Sequence, residues 1–279
     1  MSQPAELTDR TALARNRARA QGDLFLHAIA RDELSLRLAE VNRRFTAPAI
    51  VTGVPQAWAG FLPGALVIED TPVLDLQPGA HDLVIHAMAL HWASDPVGQM
   101  VQARRALRPD GLFLGVCAGG QTLAALRAAL AQAEIEVSGG LSPRVLPMAE
   151  IRDLGALLQR AGFALPVADV LGQDVAYRDF LSLCRDLRAM GEGNALAARH
   201  RRPTPRRLFT RAAEIYSAQF SNASRHLLAR YELIFLTGWA PDAGQPRPLR
   251  PGSAKASLAE ALGTQETPLP DAIKAPPAD

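Results

Sequence analysis

Residues 82–115, DLVIHAMALHWASDPVGQMVQARRALRPDGLFLG, limit the fold more than any other part of the chain. The stretch 82–89 is almost continuously apolar, as a strand covered on both faces must be. A turn carrying His91 and Trp92 follows. Residues 97–107 then place Val97, Met100, Val101 and Leu107 on one helical face. Arg104, Arg105 and Arg108 point outward or lie at the C-terminal end, where cations complement the helix dipole. Pro109, Asp110 and Gly111 supply a turn, and 112–117 reads as a second buried strand. Strand, helix and strand in that order form a β-α-β unit. That unit requires a parallel sheet, because parallel neighbours need a long crossover.

The rest of the chain extends this frame. Residues 7–38 read as helical throughout, with Thr8 and Asp9 to cap and Leu13, Phe25, Ile29, Leu34 and Leu38 at helical spacing. The segments APAIVTG (47–53) and ALVIED (65–70) read as short strands. Further helices are predicted over 123–137, closed by Gly139 and Gly140, and over 151–161, closed by Gly162. A strand over 167–177 precedes helices at 180–190 and 208–220, which flank the basic linker ARHRRPTPRR, and YELIFLTGW (231–239) is a final strand. Residues 1–45 are thus expected to be an N-terminal helical segment. Residues 46–240 form an α/β domain with a helical insertion at about 178–226. Residues 241–279, rich in Pro, Gly and Ala, are expected to be largely extended or disordered.

Composition narrows the function. With 48% hydrophobic residues in 279, a substantial core is available, and a net charge of +2 leaves no strongly basic domain. The cluster at 199–211 lacks interleaved aromatics, so nucleic acid is not an expected partner and a solvated or protein-docking role is. Cys117 and Cys184 are far apart in apolar runs, which fits reduced core thiols and a cytoplasmic location. No run of about 18 apolar residues is present, so no membrane span is expected, while peripheral membrane association stays open. The N-terminus lacks the apolar core of a secretory signal. His86 and His91 have no ligand spacing around them, and no metal is expected.

Several residues fall where α/β folds place ligands, beyond the carboxyl ends of strands. Trp92 can stack on a flat group or close the core, and His91 can act as a base or pack. Gly120 can admit a close backbone approach or a turn, and Thr122 can touch a substrate or cap the next helix. Arg144, in the loop GGLSPR, can grip a carboxylate with both guanidinium arms or stay solvated.

Three pieces, in order, resemble class I S-adenosylmethionine (SAM) methyltransferases: DLVIHAMALHW, RRALRPDGLFLGV and LLQRAGF. A narrower resemblance, over about residues 44–263, is to the methyltransferase-like assembly factors of respiratory complex I. It is carried by GGQTLAALRAAL, GGLSPRVLPMAEIRDLGALLQRAGF, RDLRAMGEGNAL and GSAKASLAEALG. More distantly the chain is similar to malonyl-carrier-protein methyltransferases. The resemblance implies a Rossmann-like sheet, mostly parallel with an antiparallel last strand, a shortened N-terminal half, SAM as cofactor and a protein client such as a complex I subunit. SAM would lie over Thr52, Gly53, Asp70, His86 and Ala87, and the client side chain would enter past His91, Trp92, Gly120, Thr122 and Arg144.

The N-terminal half departs from that family's pattern. Its loop TGVPQAW has one glycine, Gly53, where the family has several, and Pro55 removes a backbone donor. About a dozen residues separate Gly53 from Ala65, where helix, strand and helix normally need roughly 40. The second strand and its ribose-gripping acid are expected to be missing, with Asp70 at the adenine-reading position. Three readings stay open: a SAM-dependent methyltransferase-like protein acting on or assembling a complex I subunit, a catalytically silent assembly chaperone, and a small-carboxylate O-methyltransferase.

Overall fold

The computed structural model describes residues 6–246 and 263. The chain divides into two units, Met1–Asp242 and Ala243–Asp279, and the sheet belongs to the first. The segment GSAKASLAEALG, apart from Gly263, and the rest of the tail after residue 246 lie outside the described residues.

The continuous helix expected over 7–38 is two helices, α1 (Arg10–Arg17) and α2 (Phe25–Glu40). Asp9 caps α1, its carboxylate accepting from Ala12 N at 3.0 Å. The chain then turns through Gly22, whose φ of +83° favours glycine. The break lets Gln21 N donate to Ala189 O at 2.8 Å. The Ala- and Arg-rich composition favours helix locally, but the turn at Gly22 and a contact 168 residues away stand where the continuous helix is expected.

Strand β1 (Pro48–Thr52) leads into a short helix α3 (Pro55–Trp58), then β2 (Leu66–Glu69) and β3 (His81–Ala87). A 3-10 turn at Leu90–Trp92, helix α4 (Pro96–Ala106) and strand β4 (Leu107–Ala118) complete the β-α-β unit. Helices α5 (Ala124–Ser138) and α6 (Ile151–Arg160) precede β5 (Ala164–Tyr177), and α7 (Phe180–Ala189) and α8 (Arg206–Gln219) precede the last strand, β6 (Leu227–Trp239).

Among the described residues the strands form one sheet of order β2-β1-β3-β4-β6-β5. The β2-β1-β3-β4 side is parallel, and β6 runs antiparallel between β4 and β5. This is the Rossmann-like architecture expected from the sequence. Strand β2 pairs directly with β1, Ala49 opposite Leu66 through Thr52 opposite Glu69, with nothing between them. The short span from Gly53 to Ala65 leaves no room for an intervening strand.

Every residue of β1 and β3 is buried. Leu83, Ile85 and Ala87 pack with Ala30 and Leu34 of α2 and with Ala129 of α5 on one face. Val84 packs with Met100 of α4 and Leu158 of α6 on the other. Each of the Val, Leu, Ile and Met side chains among them contributes about 1.5–3 kcal/mol by leaving water, and the three-layer sandwich that results holds the strand ends in fixed positions.

Helix α5 ends at Gly139, φ +66°, and the following loop folds back on it. Glu134, 6% exposed, accepts from Ser142 N at 3.0 Å, Ser142 Oγ at 2.8 Å, and Arg144 Nε and Nη2 at 3.0 and 2.6 Å. Burial pushes its carboxyl up, but the Arg144 and Ser142 donors outweigh that and hold it down to about 2. A folded value below the ordinary 4.5 means that this contribution is complete above pH 4.5 and is lost as the pH falls through 2. Replacing Glu134 by Gln should therefore flatten the acid limb of a pH–stability curve between pH 4.5 and 2. It should also remove on the order of 1–3 kcal/mol at pH 7, as read by urea unfolding. An unchanged acid limb would refute this assignment.

Candidate functional site

The loops beyond the carboxyl ends of β1, β2, β3 and β4 meet along one edge of the sheet, and the site has two sides. On the first are Thr52, Gly53 and Asp70. Thr52 closes β1 fully buried, and its Oγ1 accepts from Val54 N at 3.3 Å. A Cβ on Gly53 would lie 1.9 Å from Cζ of Arg17 and 2.1 Å from its Nη1, so a side chain there would have to displace the guanidinium. The guanidinium of α1 thus lies directly over the glycine.

That guanidinium is held by Asp70, which follows β2 and is 1% exposed. Arg17 Nη1 donates to Asp70 Oδ1 at 2.7 Å. Arg10 adds Nη1 to Oδ2 at 3.3 Å and Nη2 to the Asp70 carbonyl at 2.8 Å. Burial pushes the Asp70 carboxyl up, and the charge of Arg17 with the donors of both arginines brings it below the usual carboxylate range. Arg17 is itself 8% exposed, and its Nε and Nη2 have no partner among the described residues.

His86 and Ala87 are fully buried inside β3. Gln99 Nε2 donates to the carbonyls of Asp70 and Thr71 at 3.3 and 3.1 Å, which turns its Oε1 toward His86 Nε2 at 2.7 Å. Since Oε1 only accepts, the His86 proton is on Nε2. Burial lowers the His86 pKa to about 4 against the opposing bond from Gln99, so the ring is neutral at physiological pH. Ala87 is paired with Thr52 in the sheet.

SAM, which the fold implies, does not fit these residues. The space over the single glycine is filled by a guanidinium, the acid is bound to two arginines, and Pro55 at the start of α3 offers no N–H.

The second side is open. A cavity of about 390 Å3 lies past β3 and β4, walled by apolar groups such as Met88, Leu126 and Leu187 and bounded by His91, Trp92 and Glu192. Trp92 Nε1 donates to Glu192 Oε2 at 2.7 Å, and His91 Nε2 is 3.6 Å from the same oxygen. Burial pushes the Glu192 carboxyl up, yet the His91 contact, the charge of Arg17 and the Trp92 bond hold it down to about 2. The cavity wall therefore carries a charged carboxylate.

The other expected site residues are brought to this side with their polar atoms engaged by the chain. Thr122 does not cap α5: its hydroxyl accepts from Glu232 N at 2.8 Å and donates to Glu232 O at 3.1 Å. Gly120, φ +52°, lies so close to β6 that a Cβ would meet Glu232 Oε2 at 2.1 Å. Arg144 holds a carboxylate with both arms, and that carboxylate is Glu134; its Nη1 also donates to Thr204 Oγ1 at 2.9 Å. In the cluster at 199–211, Arg199 and Arg201 pair with Asp9, and Arg211 pairs with Glu136 and Glu214. Cys184 borders the cavity, while Cys117 is buried in β4, its thiol pushed up by burial to about 12. Among the described residues no group of three or more His, Cys, Asp or Glu could hold a metal, and no helix is long and apolar enough to cross a membrane.

Arg10, Arg17, Gln99 and Glu192 matter most to the site and stand out least in the sequence. One signal was present for Glu192. It lies in Gly191-Glu192-Gly193, where Gly191 has φ +81° and both glycines press against α1.

No family model matches the chain. Among curated proteins it is 35% identical over 199 residues to "Arginine-hydroxylase NDUFAF5, mitochondrial" of Danio rerio, covering 71% of this chain and 62% of that one. The human protein of the same name is 35% identical over 213 residues, covering 76% and 61%. The malonyl-[acyl-carrier protein] O-methyltransferase of Methylovorus sp. (strain MP688) is 31% identical over 210 residues, covering 75% and 67%. The chain thus spans less than two thirds of the NDUFAF5 relatives' length. Among solved structures, YcgJ of Bacillus subtilis superposes with a TM-score of 0.49 at 11% identity, over 75% of this chain and 98% of that one. By this kinship in sequence, the chain belongs to the class I SAM-dependent methyltransferase superfamily.

Proposed function

We propose that this protein seats a side chain of a protein client, a respiratory complex I subunit, in the cavity past β3 and β4, and does so without SAM. The observation that carries this reading is the contrast between the two sides of the site. A guanidinium of the chain fills the space over Gly53, while about 390 Å3 stays open beside Glu192. The resemblance to complex I assembly factors supplies the class of client, and the relatives named "Arginine-hydroxylase NDUFAF5" support it.

The lining suits a long cationic side chain, such as the arginine in those relatives' name. Apolar walls take the stem and the Glu192 carboxylate takes the head. Of the arginines on the lining, Arg144 and Arg199 are neutralised by Glu134 and Asp9, and Arg188 stands at the end of α7. The small-carboxylate reading loses its gripping residue, because Arg144 already holds Glu134.

Two measurements test this. Calorimetric titration with SAM and S-adenosylhomocysteine should give no binding heat at millimolar ligand, and micromolar binding would refute independence from the cofactor. In a host strain lacking the gene, complex I activity should fall. The wild-type chain should restore it, while Glu192→Gln, which still accepts from Trp92, should restore less than about a tenth, as expected when a buried charged partner is lost. Full complex I activity in the deletion strain would sink the client assignment.

A further inference from the structure

The buried Arg17 is unexplained by folding economy. A guanidinium that satisfies one of its three nitrogens in a buried site is costly, and native structures keep such groups for a reason. We propose that α1 is an internal occupant of the fold's cofactor side: Arg17 fills the space over Gly53 as a cation held by Asp70, and it is a positioning residue for the segment 189–199 that brings Glu192 to the cavity. This inference deepens the cofactor-independent reading and rests on it.

Space, charge and connection each support it. A Cβ at Gly53 would fall within 2.4 Å of three atoms of the guanidinium, so glycine and arginine fit as a pair. Asp70 is too deeply buried to stay charged unaided, and Arg10, the other cation on it, has a side chain 34% exposed against 9% for Arg17. Direct pairing of β2 with β1 is what brings Asp70 beside the Gly53 loop, within reach of α1.

The connection runs along one seam. Asp9 N donates to Ala195 O at 2.8 Å, Ala197 N to Leu7 O at 2.9 Å, and Asn16 Nδ2 to Gly193 O at 2.9 Å. A Cβ on Gly191 would lie 3.1 Å from Arg17 Cα, so the backbone on one side of Glu192 rests on the backbone at the end of α1, the turn that the Arg17–Asp70 pair holds in place. Thr8 Oγ1 donates to the Trp92 carbonyl at 2.7 Å. Both partners of the Trp92–Glu192 bond therefore hang on α1 and its leading turn.

Chemical rescue tests the proposal. Arg17→Ala leaves a hole lined by Gly53 and Asp70. Ethylguanidinium at millimolar concentration should raise the Tm of this variant by about 3 °C at tenfold over its Kd and return the Trp92 indole N–H resonance to its wild-type position. Ethylurea, of the same shape without the charge, should do neither, and the wild-type chain should respond to neither compound. Rescue by both compounds alike, or by neither, would overturn the proposal, as would stabilisation of the wild-type chain by S-adenosylhomocysteine.

If Arg17→Ala does not fold, Arg17→Lys keeps a charge on Asp70 but cannot fill the same planar space. It should fold and shift the Trp92 indole resonance, and an unmoved resonance would overturn the positioning role. None of these readouts involves a client, so loss of the complex I assignment would leave them intact.

Discussion

A carboxylate with 1% of its surface exposed must find cations or give up its charge, and Asp70 finds two on the same helix. Much of the site follows from that pairing. Arg10 and Arg17 fix α1 across the ends of β1 and β2. Glycine at 53 leaves room for the guanidinium, which occupies the place a side chain would take. With α1 fixed, the segment 189–199 has a surface to run along, and Glu192 and Trp92 are brought into hydrogen-bond contact. An interaction on the filled side of the fold thus shapes the open side.

The frame of the fold was legible because its signals are local. The apolar runs of β1 and β3 have the length and continuity of strands covered on both faces, and the structure buries every residue of both. The short gap between Gly53 and Ala65 forbade another strand, and β2 indeed lies directly beside β1. The break between α1 and α2 had one local signal, Gly22, against the helix preference of the Ala- and Arg-rich run around it. The contact of Gln21 with Ala189 that accompanies the break lies in no window of sequence.

The candidate site was legible as a place and not as a set of roles. Thr122, Gly120 and Arg144 all reach the region past β4, but their polar or steric partners are Glu232 and Glu134. A hydroxyl or guanidinium looks the same in sequence whether its partner is a ligand or a residue 110 positions away. His86 illustrates the same limit. Its position suggests a ligand contact, while burial and Gln99 make it a neutral structural donor. Arg17 shows the reverse, for nothing in RTALARNR sets the eighth residue of α1 apart from Arg10 or Arg15 until Asp70 is placed beside it.

The strand-end loops of the two sides are separate stretches of chain, because each strand of a parallel sheet carries its own loop at its carboxyl end. Shortening the chain between β1 and β2 alters the loops that bear Gly53 and Asp70. It leaves β3 and β4, and the loops that bear His91, Trp92 and Thr122, in register with each other and with β6. The cavity is further bounded by α7 and the segment after it, which lie between β5 and β6 in the sequence. What ties the sides together is α1, whose arginines face one and whose neighbouring backbone carries the acid of the other. A methyltransferase fold can give up the space for its cofactor and keep a shaped cavity, provided that something of suitable size and charge replaces what was lost. On the proposed reading the replacement is part of the chain, so the cavity does not wait on a diffusible ligand to be formed.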